Sequence, residues 1–264
     1  MPHEDLAIHV AGGVQTIRLK RAAKKNALTG AMYDAMRKAL EAAETRDDIA
    51  AHVFLGAPGV FCAGNDMGDF LAQSKTLQPG QPRVVPSSNF IRCLPGISKP
   101  MIAAVDGLAI GIGVTMLMHC DLVYASPAAS FRTPFLDLGL VQEAGTSVIG
   151  PRQLGLQRAF ELLVLGETWS AERAEASGLV NAVVPASEIE AKAFSAAHAL
   201  AAKPRSALLA ARRLMRGDPA DIYRAMDAEG AAYVDLMRSP EAREAFAAFL
   251  EKRKPDFAKA RAAH

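Results

Sequence analysis

The chain has 264 residues, half of them hydrophobic and 22% charged, with a formal net charge of +2. That is enough chain to bury a large core without disulfide or metal staples, and it excludes a disordered or collagenous protein. The near-neutral balance, with one Trp and four Tyr, also argues against a nucleic-acid partner, which needs many phosphate contacts and aromatic stacking. The three cysteines, Cys62, Cys93 and Cys120, show no CxxC spacing, so neither a disulfide scaffold nor a metal site is expected. The N-terminus carries no basic stretch followed by a long apolar run, and the expected location is the cytoplasm.

In chain order, Leu6 to Val10 and Val14 to Leu19 alternate around Gly12-Gly13 and predict a β-hairpin. Thr29 is placed to cap a helix in which Met32, Ala35, Met36, Ala39, Leu40 and Ala43 recur at helical spacing, running to about Arg46. His52 to Leu55 reads as a short buried strand, with a turn at Gly56 and Gly59. Ser74 to Ser88 holds three prolines and a glycine and reads as a loop on a binding face. Met101 to Met118 approaches the length of a membrane span, but Asp106 and three glycines interrupt it. The reading is a strand from Met101 to Val105, a turn, and a helix from Gly111 to His119; no membrane partner is expected. Leu122 to Ala125 is a further strand. Strand and helix alternate through residues 1–185, which predicts an α/β core. Residues 186–264 are helical and alanine-rich, with helices at Ala193 to Ala202, Ser206 to Met215, Ala220 to Met237 and Pro240 to Lys254. They are too thin in large apolar residues to fold alone, so they should pack on the core or on a neighbouring subunit.

Three glycine-containing segments carry chemical interest: Phe61 to Met67, Asp106 to Gly113, and Leu138 to Thr146. Each sets small residues beside the start of a helix, where backbone N–H groups are unpaired and the dipole is positive. Two such turns converging on one oxygen would form an oxyanion hole from backbone alone. A dinucleotide fingerprint is a poor fit, because Gly111-Ile112-Gly113 lacks the third glycine and lies far from an opening βαβ unit. A hydrolytic triad of His119, Cys120, Asp121 and Ser147 is disfavoured, since neighbours on a buried helix end point in different directions.

At these residues the chain resembles the crotonase superfamily, also called the enoyl-CoA hydratase/isomerase family, over nearly its full length. The matching landmarks, in order, are Lys24-Lys25-Asn26-Ala27-Leu28, Phe61-Cys62-Ala63-Gly64-Asn65-Asp66-Met67, Lys99-Pro100, Ala104-Val105-Asp106-Gly107, Cys120-Asp121, Leu138-Gly139 and the tail Glu251-Lys252-Arg253-Lys254-Pro255. The resemblance implies a crotonase-like spiral of β-β-α units closed by C-terminal helices, assembled as a homotrimer or hexamer. It implies an acyl-CoA thioester as substrate and no separate cofactor, with the thioester oxygen held by the N–H groups of Asn65 and Ile112.

By the same resemblance, the two acids of typical hydratases fall on Thr115 and Phe135, neither of which can act as a base. Glu143 stands where one branch of 3-enoyl-CoA to 2-enoyl-CoA isomerases carries its base, and Asp137 is the reserve candidate. The substrate-binding positions implied are Ala23, Lys24, Lys25, Ala27, Ala63, Gly64, Asp66, Met67, Gly111, Pro134, Phe135 and Leu138. Phe249 and Lys252 in the tail are added as residues reaching the CoA of a neighbouring subunit. The expectation is an isomerase. The alternatives are a hydratase or lyase with altered acids, or a non-catalytic acyl-CoA-binding member of the fold.

Overall fold

In the computed structural model, which describes residues 4–74 and 84–262, the hairpin forms as the alternation predicts. β1 (Leu6–Ala11) and β2 (Val14–Leu19) pair antiparallel across Gly12-Gly13, with Ile8 opposite Ile17. Helix α1 (Gly30–Glu44) follows, its first turn capped by the Thr29 hydroxyl, which accepts from the Met32 N–H. At its far end the buried Lys99 ammonium donates to the carbonyls of Ala43 and Arg46, tying a helix C-terminus to the core.

One pattern then repeats three times, each pass giving two strands and then helix. The first pass is β3 (Ala51–Leu55), β4 (Val60–Cys62), α2 (Met67–Ser74) and α3 (Pro86–Cys93). The second is β5 (Met101–Val105), β6 (Leu108–Ile110) and α4 (Ile112–Thr115). The third is β7 (Leu122–Ala125), β8 (Ser130–Arg132) and, after a turn, α5 (Thr146–Leu154). Each pass lays its first strand in one sheet and its second in another. After α6 (Leu156–Phe160) come β9 (Trp169–Ser170), α7 (Ala171–Ala176) and β10 (Ala182–Val183). The larger sheet has the order β1-β2-β3-β5-β7-β10 and the smaller β4-β6-β8-β9, with successive passes parallel. This is the spiral of β-β-α units.

The corners between the two sheets stack, and that contact selects glycine. Gly107, with φ +73°, turns from β5 to β6, where a Cβ would lie 1.8 Å from the Gly59 carbonyl oxygen of the corner below. No side chain fits that approach.

The helical remainder comprises α8 (Ile189–Ala201), α9 (Arg205–Arg216), α10 (Ala220–Leu236), α11 (Pro240–Leu250) and α12 (Phe257–Ala262). Helix α8 covers the outer face of the larger sheet, where Ile189, Ala193 and Ala197 pack on Val53, Leu55, Ile102 and Ala104. The alternate strand residues, such as Phe54, Ala103 and Val105, face the main core with Met32, Met36 and Leu40 of α1. Both faces of β3 and β5 are therefore buried, which is why these strands read as unbroken apolar runs. Asp121 fastens α9 by accepting from Arg212 and Arg216.

Two elements differ from the sequence reading. The segment read as a loop from Ser74 to Ser88 is bounded by helix: Ser74 ends α2 and Pro86 opens α3, while residues 75–83 lie outside the described residues. Proline at the first helical position costs no hydrogen bond, so Pro86 marks a helix start rather than loop. The helix expected from Gly111 to His119 is α-helical for one turn and continues as a 3-10 turn, Met116–His119. The reading of Met101 to Met118 as strand, turn and short helix holds, and no described helix is long and apolar enough to cross a membrane.

Candidate active site

The first two glycine segments meet, as the oxyanion-hole reading requires. Gly64 has φ +93°, and a Cβ there would sit 3.2 Å from the Ile110 carbonyl oxygen. In return, a Cβ on Gly113 would lie 2.7 Å from the Cys62 carbonyl oxygen. Asn65 stands two residues before α2, separated from it by Asp66, whose side chain accepts from the N–H groups of Gly68 and Asp69. Asp66 is held in turn by Arg21 at 2.8 Å, an ion pair that keeps its carboxyl below the usual range. Ile112 is the first residue of α4, so its N–H precedes the first intrahelical bond. Neither the Asn65 nor the Ile112 N–H has an acceptor among the described residues.

The segment from Lys25 to Leu28 braces the first turn. Lys25 and Leu28 carbonyls accept from the N–H groups of Ala63 and Asp66, and the Leu28 N–H donates to the Gly64 carbonyl. Asn26, fully buried with φ +55°, donates its amide to the carbonyls of Val60 and Phe61, both at 3.0 Å. Lys24 and Lys25 are exposed beside it, with Ala23 between them and Arg21, whose guanidinium is taken up by Asp66 and the Ala27 carbonyl.

Glu143 is buried on the turn that opens α5. Ala144 and Gly145 follow with φ +69° and +70°, two left-handed residues in succession. Such backbone costs of order 1–3 kcal/mol at a non-glycine residue and persists only where the surroundings fix it. Here two remote side chains do so. His119 Nε2 lies 2.8 Å from the Ala144 carbonyl oxygen, which can only accept, so that nitrogen donates. Burial pushes His119 down to about 4 and keeps it neutral. From α10, Glu229 accepts from the Gly145 N–H at 2.7 Å, the Ser147 N–H at 2.9 Å and the Ser147 hydroxyl at 2.5 Å. Burial raises the Glu229 carboxyl despite those three donors, and the Glu143 charge pushes the same way.

A cavity of about 660 Å³ opens beside this turn, between α3 and α10. Glu143, Ala144 and Glu229 lie in its wall with Ile91, Met226 and Val234, and the Arg92–Asp227 ion pair joins α3 to α10 at 2.5 Å. Asn65 and Ile112 are not in that wall. A second apolar cluster, of Leu140, Tyr233, Ala242 and Phe246 with Met67, Phe70 and Leu138, lays α11 over α2 and the 138–141 turn.

Of the remaining sequence candidates, Phe135 is buried and Pro134 half-buried, ahead of the 3-10 turn Leu136–Leu138. Thr115 is fully buried, and its hydroxyl has no hydrogen-bond partner among the described residues. Asp137 is half exposed in an ion pair with Arg132 at 2.8 Å. Gly111 stands immediately before α4 with φ +56°. Phe249 and Lys252 are exposed at the C-terminal end of α11. Cys62 and Cys120 are buried, with burial pushing both thiols up to about 12, and neither is poised as a nucleophile. Sequence reasoning missed Glu229 and the hold of His119 on the Glu143 turn. One signal was present for Glu229: it follows Met226 by three residues and precedes Tyr233 by four, which puts a carboxylate in an apolar helical stripe.

The chain matches the family described as enoyl-CoA hydratase/isomerase over residues 9–260. It is 34% identical over 219 residues to enoyl-CoA delta isomerase 2 of Rattus norvegicus, an alignment covering 83% of this chain but only 56% of that relative, so the chain spans little more than half of its length. It is 32% identical to 1,2-epoxyphenylacetyl-CoA isomerase of Escherichia coli (strain K12), across 96% of this chain and 98% of that one. The crystal structure of an enoyl-CoA hydratase/isomerase from Pseudoalteromonas atlantica T6c superposes with a TM-score of 0.88 at 33% identity, covering 96% of this chain and 100% of the other. A family match across nearly the whole chain, on a fold that superposes end to end, leads to one conclusion: the chain belongs to the enoyl-CoA hydratase/isomerase family.

Proposed function

We propose that this protein moves the double bond of a 3-enoyl-CoA to the 2-position, with Glu143 as the single proton carrier. The observation that supports this reading is the distribution of acids. By the family resemblance the two hydratase acids fall on Thr115 and Phe135, which carry no carboxylate, while Glu143 is a buried carboxylate in the wall of a cavity of about 660 Å³. Glu143 takes a proton from C2 of the thioester. The electron pair of that C–H bond moves toward the carbonyl, giving a dienolate whose oxygen accepts from the N–H groups of Asn65 and Ile112. The proton then returns at C4, leaving the double bond between C2 and C3. No redox or metal cofactor enters this sequence, because every atom that moves belongs to the substrate or to the carboxylate. Similarity to proteins named as isomerases supports the same reading.

The CoA moiety is assigned to the exposed Ala23-Lys24-Lys25 segment beside the donor turn. The alanine-rich helices after residue 186 are assigned to a trimer or hexamer in which Phe249 and Lys252 meet a neighbour's CoA. A stable monomer by light scattering at micromolar concentration would overturn the assembly. The activity is tested by Glu143→Gln, which keeps shape but cannot take a proton. Isomerisation of a 3-enoyl-CoA should fall about 10²–10⁴-fold in kcat, with KM nearly unchanged. Parent-like turnover in that variant would remove Glu143 from the mechanism.

A further inference from the structure

We propose that Glu229 is a positioning residue for this reaction: from α10 it clamps the backbone of the turn that carries Glu143 and so fixes where that carboxylate stands. The inference rests on the reading of Glu143 as the base.

The bonding shows a clamp rather than a second proton carrier. One Glu229 oxygen accepts from the Gly145 N–H, and the other accepts from both the N–H and the hydroxyl of Ser147. With both oxygens on the backbone and side chain of this turn, Glu229 has the role of an ionised acceptor. The gripped residues, Gly145 and Ser147, lie two and four residues along the chain from Glu143, so the grip acts directly on the peptide units that set it.

The location is costly, which argues that the clamp is there for more than packing. Glu229 is 7% exposed, in a stripe with Met226 and Tyr233, and it shares the cavity wall with the Glu143 carboxylate. Burying a charge is costly unless good donors offset it, and an apolar residue in the same place is often no worse for stability. What an apolar residue cannot do is hold Ala144 and Gly145 in two successive left-handed conformations. His119 holds the same turn from the opposite side, through the Ala144 carbonyl. The base is thus fixed between the end of the α4 segment and α10, and Gly145 itself packs on α10, where a Cβ would lie 2.6 Å from Ile222 Cγ2. A base misplaced by about 1 Å can lose about 10²-fold in rate.

The test compares Glu229→Gln and Glu229→Met with the parent, each also in the Glu143→Gln background. Measured quantities are kcat and KM for 3-enoyl-CoA isomerisation, melting temperature, and amide exchange at Gly145 and Ser147. Glu229→Met should lose about 10- to 100-fold in kcat with KM within about twofold. Glu229→Gln, which keeps one accepting oxygen, should lose less, and exchange at the two amides should accelerate in both. In the Glu143→Gln background neither change should lower the residual rate further, because Glu229 acts only through Glu143.

Full kcat in a folded Glu229→Met would overturn the proposal, whatever its melting temperature, since a helix cap alone affects stability and not turnover. An additive loss in the Glu143→Gln background would also overturn it, by making Glu229 reactive in its own right. Should Glu229→Met fail to fold, Ser147→Ala asks the same question: removing one donor should cost a few-fold in kcat at constant KM, and an unchanged kcat overturns the clamp. Failure of the base assignment is distinguishable, because it shows as parent turnover in Glu143→Gln alone.

Discussion

The two donor turns and the carboxylate turn are held in opposite ways. At Asn65 and Ile112 the geometry is written in backbone: two sheet corners stack, Gly64 and Gly113 let the chains touch, and the proposed donors are peptide N–H groups. At Glu143 the proposed reacting group is a side chain, and the backbone of its turn is bonded by His119 and Glu229 from elements 24 residues before and 86 after it in the chain. Backbone donors tolerate a change of side chain, because the N–H belongs to the peptide unit. A carboxylate tolerates none. A fold built this way can keep one binding chemistry while the reacting acid moves from turn to turn.

The sharpest way to break the donor side is Gly113→Ala. The new Cβ would meet the Cys62 carbonyl oxygen at 2.7 Å and the Cys62 Cβ at 3.0 Å, neither of which can swing aside. Strand β4 and the turn to Asn65 must therefore retreat from α4, and the two N–H groups separate. Loss of one effective donor should cost about 10²–10³ in kcat. A steady-state assay showing less than a threefold loss in a correctly assembled variant would mean that this contact does not set the donor pair.

The same contrast decides what could be read from sequence. The placement of the glycine segments was legible because their glycines sit at fixed offsets from strands and helix starts, and each segment does lead into a helix. The α/β core, the hairpin and the long C-terminal helices were legible from periodicity. The second sheet was not: β4, β6 and β8 have three residues each, too few for an alternation to register. Nor was the clamp on Glu143, since hydrogen bonds between Glu229 and a turn 84 residues away leave no local pattern. His119 was seen as one of three adjacent polar residues, and only packing shows that it points to Ala144 while Asp121 turns to the arginines of α9.

An intermediate effect should separate the two sides by pH. Burial lowers His119 to about 4 and His52, on the α1 face of the larger sheet beside Gln15, to about 3. Both are therefore neutral in the folded protein while the unfolded chain takes up protons below about 6.5. Stability is flat above that pH and falls as pH drops from 6.5 towards 4. At pH 5 each histidine should cost about 2 kcal/mol relative to pH 7. His119→Gln, which keeps an N–H donor for the Ala144 carbonyl but does not titrate, should remove about half of that loss. Denaturant unfolding at pH 7 and pH 5 measures it, and equal acid sensitivity in parent and variant would rule out His119 as a contributor.

The smallest effect is expected at Asp137, and its smallness carries the argument. Asp137 lies on the 3-10 turn after Phe135, one element away from Glu143, and was the reserve candidate for the base. Its carboxylate instead pairs with Arg132 at 2.8 Å, and both side chains are about half exposed. Surface pairs of this kind are worth roughly 0–1 kcal/mol, because water screens both partners. Arg132 also donates to the Gly166 carbonyl, so it stays anchored when the acid is removed. Asp137→Asn should therefore change kcat by less than about twofold and stability by less than about 1 kcal/mol. If it abolishes turnover while Glu143→Gln does not, the reacting carboxylate sits on an exposed surface turn, and the contrast between a backbone-held donor pair and a clamped base collapses.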